Sequence, residues 1–165
     1  MPRLIKGTQI VDDAYMVIRG DGFPEGVPVI VPLLTWQANR DALRASGDAG
    51  VWLAPADDPA ALADDLASLP VIAIDFPSFT DGRGYSSARL LRERLGYRGE
   101  LRAIGDIQRD QLYYLSQVGF DAFAVAEDRD VEAALAGLRD FSDGYQSTQA
   151  RTPWFRRRDE SGATA

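Results

Sequence analysis

The fold is decided by residues Val71–Ile104, which read VIAIDFPSFTDGRGYSSARLLRERLGYRGELRAI. An apolar, β-branched run over Val71–Ile74 predicts a buried strand, and the spacing of apolar residues over Ser87–Leu95 predicts a helix. Gly96 ends that helix, and Glu100–Ile104 forms the next strand. A strand, a helix and a second strand in this order predict one unit of a parallel sheet.

The same alternation continues on both sides of this stretch. It predicts further strands at residues 27–31, 51–53 and 120–125, and further helices at residues 36–45, 59–66, 107–118 and 131–138. About five consecutive βα units predict an α/β fold with a parallel sheet, either open or curved as an incomplete TIM-barrel-like sheet. In front of these units, residues 3–7 and 15–19 predict an N-terminal β-hairpin around Asp12 and Asp13.

Charge divides the chain into a body and a tail. We predict one α/β domain over residues 1–150 and a basic, flexible tail over residues 151–165. The tail holds four arginines and two acidic residues, which gives it a net charge of +2. Because the whole chain has a net charge of −7, the body carries −9. The alternatives for the tail are a solubilising extension or a segment that docks on a partner protein through Trp154, Phe155, Arg156, Arg157 and Arg158.

Composition excludes several kinds of chemistry. The 165 residues include no cysteine and no histidine, and Lys6 is the one lysine. Disulfides, thiolate nucleophiles, serine–histidine triads and histidine metal sites are therefore excluded within the chain. The negative net charge argues against nucleic acid, and no apolar run is long enough for a membrane span. We therefore expect a cytoplasmic protein whose cofactors, if any, the sequence does not identify.

The long loop after the third predicted βα strand, Asp75–Ser86, is the candidate anion site. Its glycines permit close approach of an anion, the following helix offers free N–H groups, and arginines supply forked donors. The predicted anion-binding residues are Gly82, Arg83, Gly84, Ser86 and Arg89, with Asp75, Asp81, Tyr85, Arg102, Asp106 and Arg109 in support. A carboxylate, sulfite, sulfate or phosphate suits such a site. The alternative is an ordered structural loop in which Asp75 or Asp81 holds an arginine.

Acidic residues at successive strand ends give a weaker alternative, a Mg²⁺ site. Asp75, Asp106 and Asp128, with Glu127 beside the last, would converge if their strands are neighbours. Each acid also has an ordinary explanation, because Asp106 can cap a helix and Asp75 can pair with an arginine. We therefore predict no metal site. Arg102, a charged residue inside a strand, is expected to pair with an acid or to face a ligand.

Several stretches resemble the bacterial family called domain of unknown function 934. They are residues 74–86 followed by 88–92, then 99–103, 105–106, 110–111 and 119–123, together with Leu34-Thr35-Trp36, Arg40 and the closing 155–158. The resemblance implies a place beside assimilatory sulfite reductase, because family members are commonly encoded next to it. Some members are labelled as oxidoreductases, but the family supplies no catalytic residue that could be transferred to this chain.

The expected function is therefore that of an accessory protein of assimilatory sulfite or sulfate reduction, which binds a small anion or the sulfite reductase. Whether the protein is an enzyme stays open. One alternative is a Mg-dependent lyase or isomerase with Asp75 and Asp106 at its centre. Another is an oxidoreductase with a bound cofactor, although no Gly-x-Gly-x-x-Gly motif follows a strand.

Overall fold

A computed structural model describes residues 2–78, 80–125 and 130–146, the last eight of them by backbone only. The described strands are β1 Arg3–Lys6, β2 Gln9–Asp12, β3 Met16–Val17, β4 Val29–Pro32, β5 Ala49–Leu53, β6 Val71–Phe76, β7 Glu100–Gly105 and β8 Ala122–Phe123. They form one eight-stranded sheet in the order β2-β1-β8-β7-β6-β5-β4-β3.

The sheet is mixed, so the predicted parallel sheet of βα units forms only part of it. Strands β3 to β8 are parallel and lie in chain order, as βα units require. The N-terminal hairpin joins the same sheet, because β1 pairs antiparallel with β8 and with β2. The hairpin thereby covers the edge that β8 would otherwise leave unpaired.

The hairpin itself differs from the prediction. Its turn lies at Gly7 and Thr8, where Gly7 has a φ of 64°, and its second strand is β2. The predicted second strand, residues 15–19, contributes β3 at the opposite edge of the sheet, parallel to β4. Alternation of apolar residues predicts a strand but does not say which strand it pairs with.

The sheet is strongly curled into a half-barrel. The two edge strands are consecutive in the chain, since β2 ends at Asp12 and β3 begins at Met16. Four residue steps span at most about 14 Å, whereas the outer strands of a flat sheet of this size would lie about 34 Å apart. The short connection therefore requires the two edges to approach each other.

The described helices are α1 Leu33–Ala38, α2 Arg40–Ser46, α3 Arg83–Arg89, α4 Leu112–Gln117 and α5 Val131–Gln146. A π-helical turn, Leu90–Arg94, continues α3, and short 3-10 turns lie at Pro59–Leu62, Leu66–Ser68 and Arg109–Gln111. No helix in these ranges has the length and apolar character that crossing a membrane requires.

Helix boundaries follow the sequence prediction in part. Gly47 and Gly96 end their helical segments with φ values of 73° and 71°. The predicted helix at residues 59–66 is instead a pair of 3-10 turns, and Asp58 caps the first by accepting from the Ala60 N–H at 2.9 Å. Asp106 does not cap α4. Residues 109–111 form a 3-10 turn before it.

The two faces of the sheet carry cores of different size. The main core lies under the helices and includes Leu53, Ile74 and Leu101. The opposite face, called the inner face below, carries a small cluster formed by Ile30, Val71, Ala73 and Ile104. Because side chains alternate along a strand, Asp75 and Arg102 fall on the inner face. This alternation decides which predicted site residues can meet.

Candidate functional site

The loop after β6 leads into α3, where four of the five predicted anion-binding residues stand in one turn. Gly82 precedes the helix and Arg83 begins it. Gly84 is buried, and a Cβ atom there would lie 2.5 Å from the Phe76 ring. Gly84 therefore lets α3 pack closely on β6, which is a structural role in addition to the one predicted from sequence.

Arg83 already holds a carboxylate. Its Nε donates to Asp81 Oδ1 at 3.1 Å and its Nη2 donates to Asp81 Oδ2 at 2.8 Å. The Arg83 backbone N–H also donates to Asp81 Oδ1 at 3.1 Å. Hydrogen bonds from Arg83 hold the pKa of Asp81 below its usual value. This forked geometry is the one in which a guanidinium binds an external oxyanion.

A groove of about 330 Å³ runs beside this pair, between α3 and the loop after β5. Arg83, Ser86 and Ser87 line one side. The other wall includes Asp57 and Asp58, whose carboxylates accept backbone N–H groups at 2.8 and 2.9 Å. The groove thus offers an arginine and serine hydroxyls on one side and negative charge on the other.

Arg89 is separated from this group. It lies six residues after Arg83 on α3, which places the two side chains about 120° apart around the helix axis. Ser86 lies between them and lines the groove, whereas Arg89 is not among the lining residues. The structure therefore brings Arg83 and Ser86 together and does not bring Arg89 with them.

Tyr85 supports the same helix from the side of the core. Its ring packs edge-on against Phe76 with centroids 5.8 Å apart. Burial raises the pKa of its hydroxyl, while a hydrogen bond with Gln111 works in the opposite direction. Tyr85 thus positions α3 on β6 and ties it to the loop after β7.

Asp75 lies on the inner face and pairs with a residue that the sequence did not single out. Its Oδ1 accepts from Arg19 Nη2 at 3.1 Å. The Arg19 guanidinium also lies over the Trp52 ring, 4.8 Å from its centroid. The sequence alternative in which Asp75 or Asp81 holds an arginine describes both pairs, because Arg19 holds Asp75 and Arg83 holds Asp81.

Two acids of the magnesium alternative, Asp75 and Asp106, have other partners in the described part of the chain. Asp106 Oδ1 accepts from the Gln108 amide at 3.4 Å, and Asp75 is paired with Arg19. No group of three or more acidic side chains placed to hold a metal exists among the described residues. Glu127 and Asp128 lie outside them.

Arg102 is the centre of a buried charge network on the inner face. Its Nη1 donates to both carboxylate oxygens of Asp13 at 2.8 Å, and its Nε donates to Glu100 at 2.9 Å. Its guanidinium carbon lies 5.4 Å from the centre of the Tyr15 ring, and Lys6 pairs with Glu100 at 3.2 Å. The prediction that Arg102 pairs with an acid is confirmed, since its 2% exposed guanidinium contacts both Asp13 and Glu100.

Three other residues of the sequence motifs, Trp36, Arg40 and Arg92, have structural partners. Trp36 Nε1 donates to Asp65 at 3.0 Å, and the same buried carboxylate binds Arg40 and Arg44. Arg92, which is 4% exposed, donates to three backbone carbonyls, those of Tyr97, Gly99 and Gly119. Asp65 thus connects α1 and α2 to the loop before β6, and Arg92 connects the π-helical turn to the segments on either side of β7 and α4.

The remaining predicted residues are accounted for as follows. Arg109 lies against α5, because a Cβ atom on Gly137 would lie 3.1 Å from its Nε. The docking segment, Trp154, Phe155, Arg156, Arg157 and Arg158, lies outside the described residues. Its role therefore stays a prediction.

Sequence reasoning missed Asp13, Arg19 and Trp52. A signal for the first two was present, because Asp13, Tyr15, Val17 and Arg19 alternate with a period of two. Such alternation places four side chains on one face of an extended segment. Charged residues at both ends of that row indicate that the row meets charged partners, but their identity depends on the curl of the sheet.

Comparison with known proteins places the chain in a family. No curated protein matches it. Residues 50–155 match the family model described as a bacterial protein of unknown function, DUF934. This range contains the α3 groove, Asp75 and Arg102, so the resemblance drawn from individual motifs is confirmed over most of the chain. The protein belongs to the DUF934 family.

Proposed function

We propose that this protein is a cytoplasmic accessory protein of assimilatory sulfite reduction, which binds sulfite or a related small oxyanion and delivers its effect through the sulfite reductase. The pathway is inferred from what the family resemblance implies. The anion site is inferred from Arg83 and Ser86 beside the α3 groove.

The forked pair of Arg83 with Asp81 is the observation that carries the proposal. Two guanidinium nitrogens contact two carboxylate oxygens at 3.1 and 2.8 Å. Sulfite and sulfate present oxygen pairs with similar spacing, and they could replace the carboxylate on the same donors. Asp81 then acts as an internal anion that an external one must displace.

The surrounding charges predict weak, salt-sensitive binding. Asp57 and Asp58 line the groove opposite Arg83, and their charges oppose an incoming anion. The side chain of Arg83 is 63% exposed, so dissolved salt screens its attraction. We therefore expect affinity that is measurable at low ionic strength and falls as salt is added.

Titration calorimetry with sulfite tests the site. Arg83→Ala should abolish binding, because the forked donor is lost. Asp81→Asn should strengthen binding several-fold, because it weakens the internal competitor but keeps the loop hydrogen bond from the Arg83 N–H. Arg89→Ala is the matched control, since it removes an arginine of the same helix that lies off the groove. Equal binding by all four proteins would reject the site.

Co-purification from the native cell grown on sulfate tests the pathway. The tagged full chain should recover the sulfite reductase, identified by mass spectrometry. Replacing Arg156, Arg157 and Arg158 together with alanine should reduce that recovery if the tail docks on the reductase. Recovery of the protein alone would reject the accessory role, and a coloured eluate would favour the oxidoreductase alternative.

A further inference from the structure

The rim of the inner face holds an acidic group and an aromatic face that together bind a cation. Asp75 and Trp52 belong to the neighbouring strands β6 and β5, and both side chains face inward. The Asp75 carboxylate contacts the Arg19 guanidinium at 3.1 Å, and the Trp52 ring lies under it at 4.8 Å. A carboxylate beside an indole face is a recognised arrangement for organic cations.

The two sides of this contact differ in how firmly they are held. The Asp75 side chain is 10% exposed, while the Arg19 side chain is 52% exposed. The Trp52 indole is fixed because its Nε1 donates to the Ile18 carbonyl at 2.8 Å. Arg19 opens an exposed connection, residues 19–28, that has no helix or strand before β4. The strands thus form the site, and the arginine comes from a loop.

The backbone beside Asp75 is shaped around its carboxylate. Gly105 has a φ of 93°, and a Cβ atom there would lie 2.7 Å from Asp75 Oδ1. Any other residue at position 105 would push against the carboxylate and strain the backbone. The position of this carboxylate is therefore set by the backbone, and a carboxylate binds a cation.

We propose that Asp75 and Trp52 form a binding site for the guanidinium group of a small-molecule ligand, and that Arg19 occupies this site in the free protein. A planar guanidinium can stack on the indole and donate to the carboxylate at the same time, as Arg19 does. The ligand must displace Arg19, whose attachment to the chain gives it a high effective concentration.

Titration with methylguanidinium, followed by the Trp52 indole N–H signal in NMR spectra, tests the proposal. Concentrations on the order of 10 mM lie far below those that unfold proteins. Arg19→Ala should bind the probe at least about tenfold more tightly than the unaltered protein, because the internal competitor is gone. Arg19→Gln provides a second variant that keeps part of the stem over the indole. Trp52→Phe assigns the signal.

Matched controls separate this site from a general attraction of cations to acids. Asp75→Asn combined with Arg19→Ala should lose binding. Arg83→Ala likewise leaves Asp81 without its arginine, and no described residue stacks an aromatic ring on Arg83, so the probe should bind at Asp81, followed by its backbone N–H signal, at least about tenfold more weakly. Absence of binding to both Arg19 variants would overturn the proposal. So would equally tight binding at Asp81 in the Arg83→Ala protein, equal binding of methylammonium, or preferential binding of acetate.

Discussion

Two arginine–carboxylate pairs in this protein have the same chemistry and different surroundings. Arg102 is 2% exposed and contacts two acids from different parts of the chain. Arg83 is 63% exposed and contacts one acid two residues away. A buried pair is costly to break because the remaining charge stays away from water, whereas an exposed pair is exchanged easily for solvent or a ligand. Arg102 therefore stabilises the fold, whereas Arg83 is accessible to a ligand.

The largest expected effect comes from breaking the buried network. Arg102→Ala leaves Asp13 uncompensated on the inner face and should lower the free energy of unfolding by about 3–5 kcal/mol. Urea denaturation followed by circular dichroism measures this. The double variant Asp13→Asn, Arg102→Ala should lose less than the two single variants added together. Additive losses would show that the two residues do not stabilise the fold as a pair.

A smaller loss of stability is expected when the close packing of α3, the helix that begins at Arg83, is disturbed at Gly84. Gly84→Ala places a methyl group 2.5 Å from the Phe76 ring and should cost about 1–3 kcal/mol of stability. Gly82→Ala is the matched control, because nothing lies within 4 Å of its added Cβ atom. Equal urea midpoints for both variants would contradict the close packing of α3 on β6.

The stability of the protein should depend on pH through Asp121, whose carboxylate lies 3.6 Å from the buried guanidinium of Arg92. Burial raises the pKa of Asp121 above its ordinary 3.8, and the nearby Arg92 only partly opposes this. The contribution of the protonated Asp121 to the free energy of unfolding is therefore complete below pH 3.8. It is lost as the pH rises through the raised pKa of this carboxyl group in the folded protein. The stability of the unaltered protein relative to Asp121→Asn should fall over that range. A difference that is constant with pH would contradict the raised pKa.

The smallest expected effect is that of removing the exposed pair. Arg83→Ala should leave the urea midpoint unchanged, because the side chain is solvated in the folded and unfolded states alike. The same variant should lose sulfite binding. A large loss of stability would make Arg83 a structural residue like Arg102 and would remove the basis for the proposed anion site.

The βα alternation from residue 27 onward was largely predictable because it depends on local patterns, although β2 was not predicted and the predicted helix at residues 59–66 is a pair of 3-10 turns. The apolar run of β6 and the glycines at positions 47 and 96 act within a few residues of themselves. The position of β3 was not predictable, because a two-residue strand carries too little pattern to choose a partner. Of the candidate site, Arg83 and Ser86 were grouped because both lie in the predicted loop after β6, whereas the structure places them in the first turn of α3, ahead of the predicted helix start at Ser87.

The amino-acid sequence by itself determined the βα alternation, the absence of thiol and imidazole chemistry within the chain, and that Arg102 pairs with an acid or faces a ligand. Only the tertiary structure decided that this partner is Asp13, 89 residues away, and that Arg19 rather than Arg83 holds Asp75. The physical reason is that local residue patterns set backbone conformation and the face of each side chain. Which faces meet depends on the closure of the curled sheet, which the whole chain determines together.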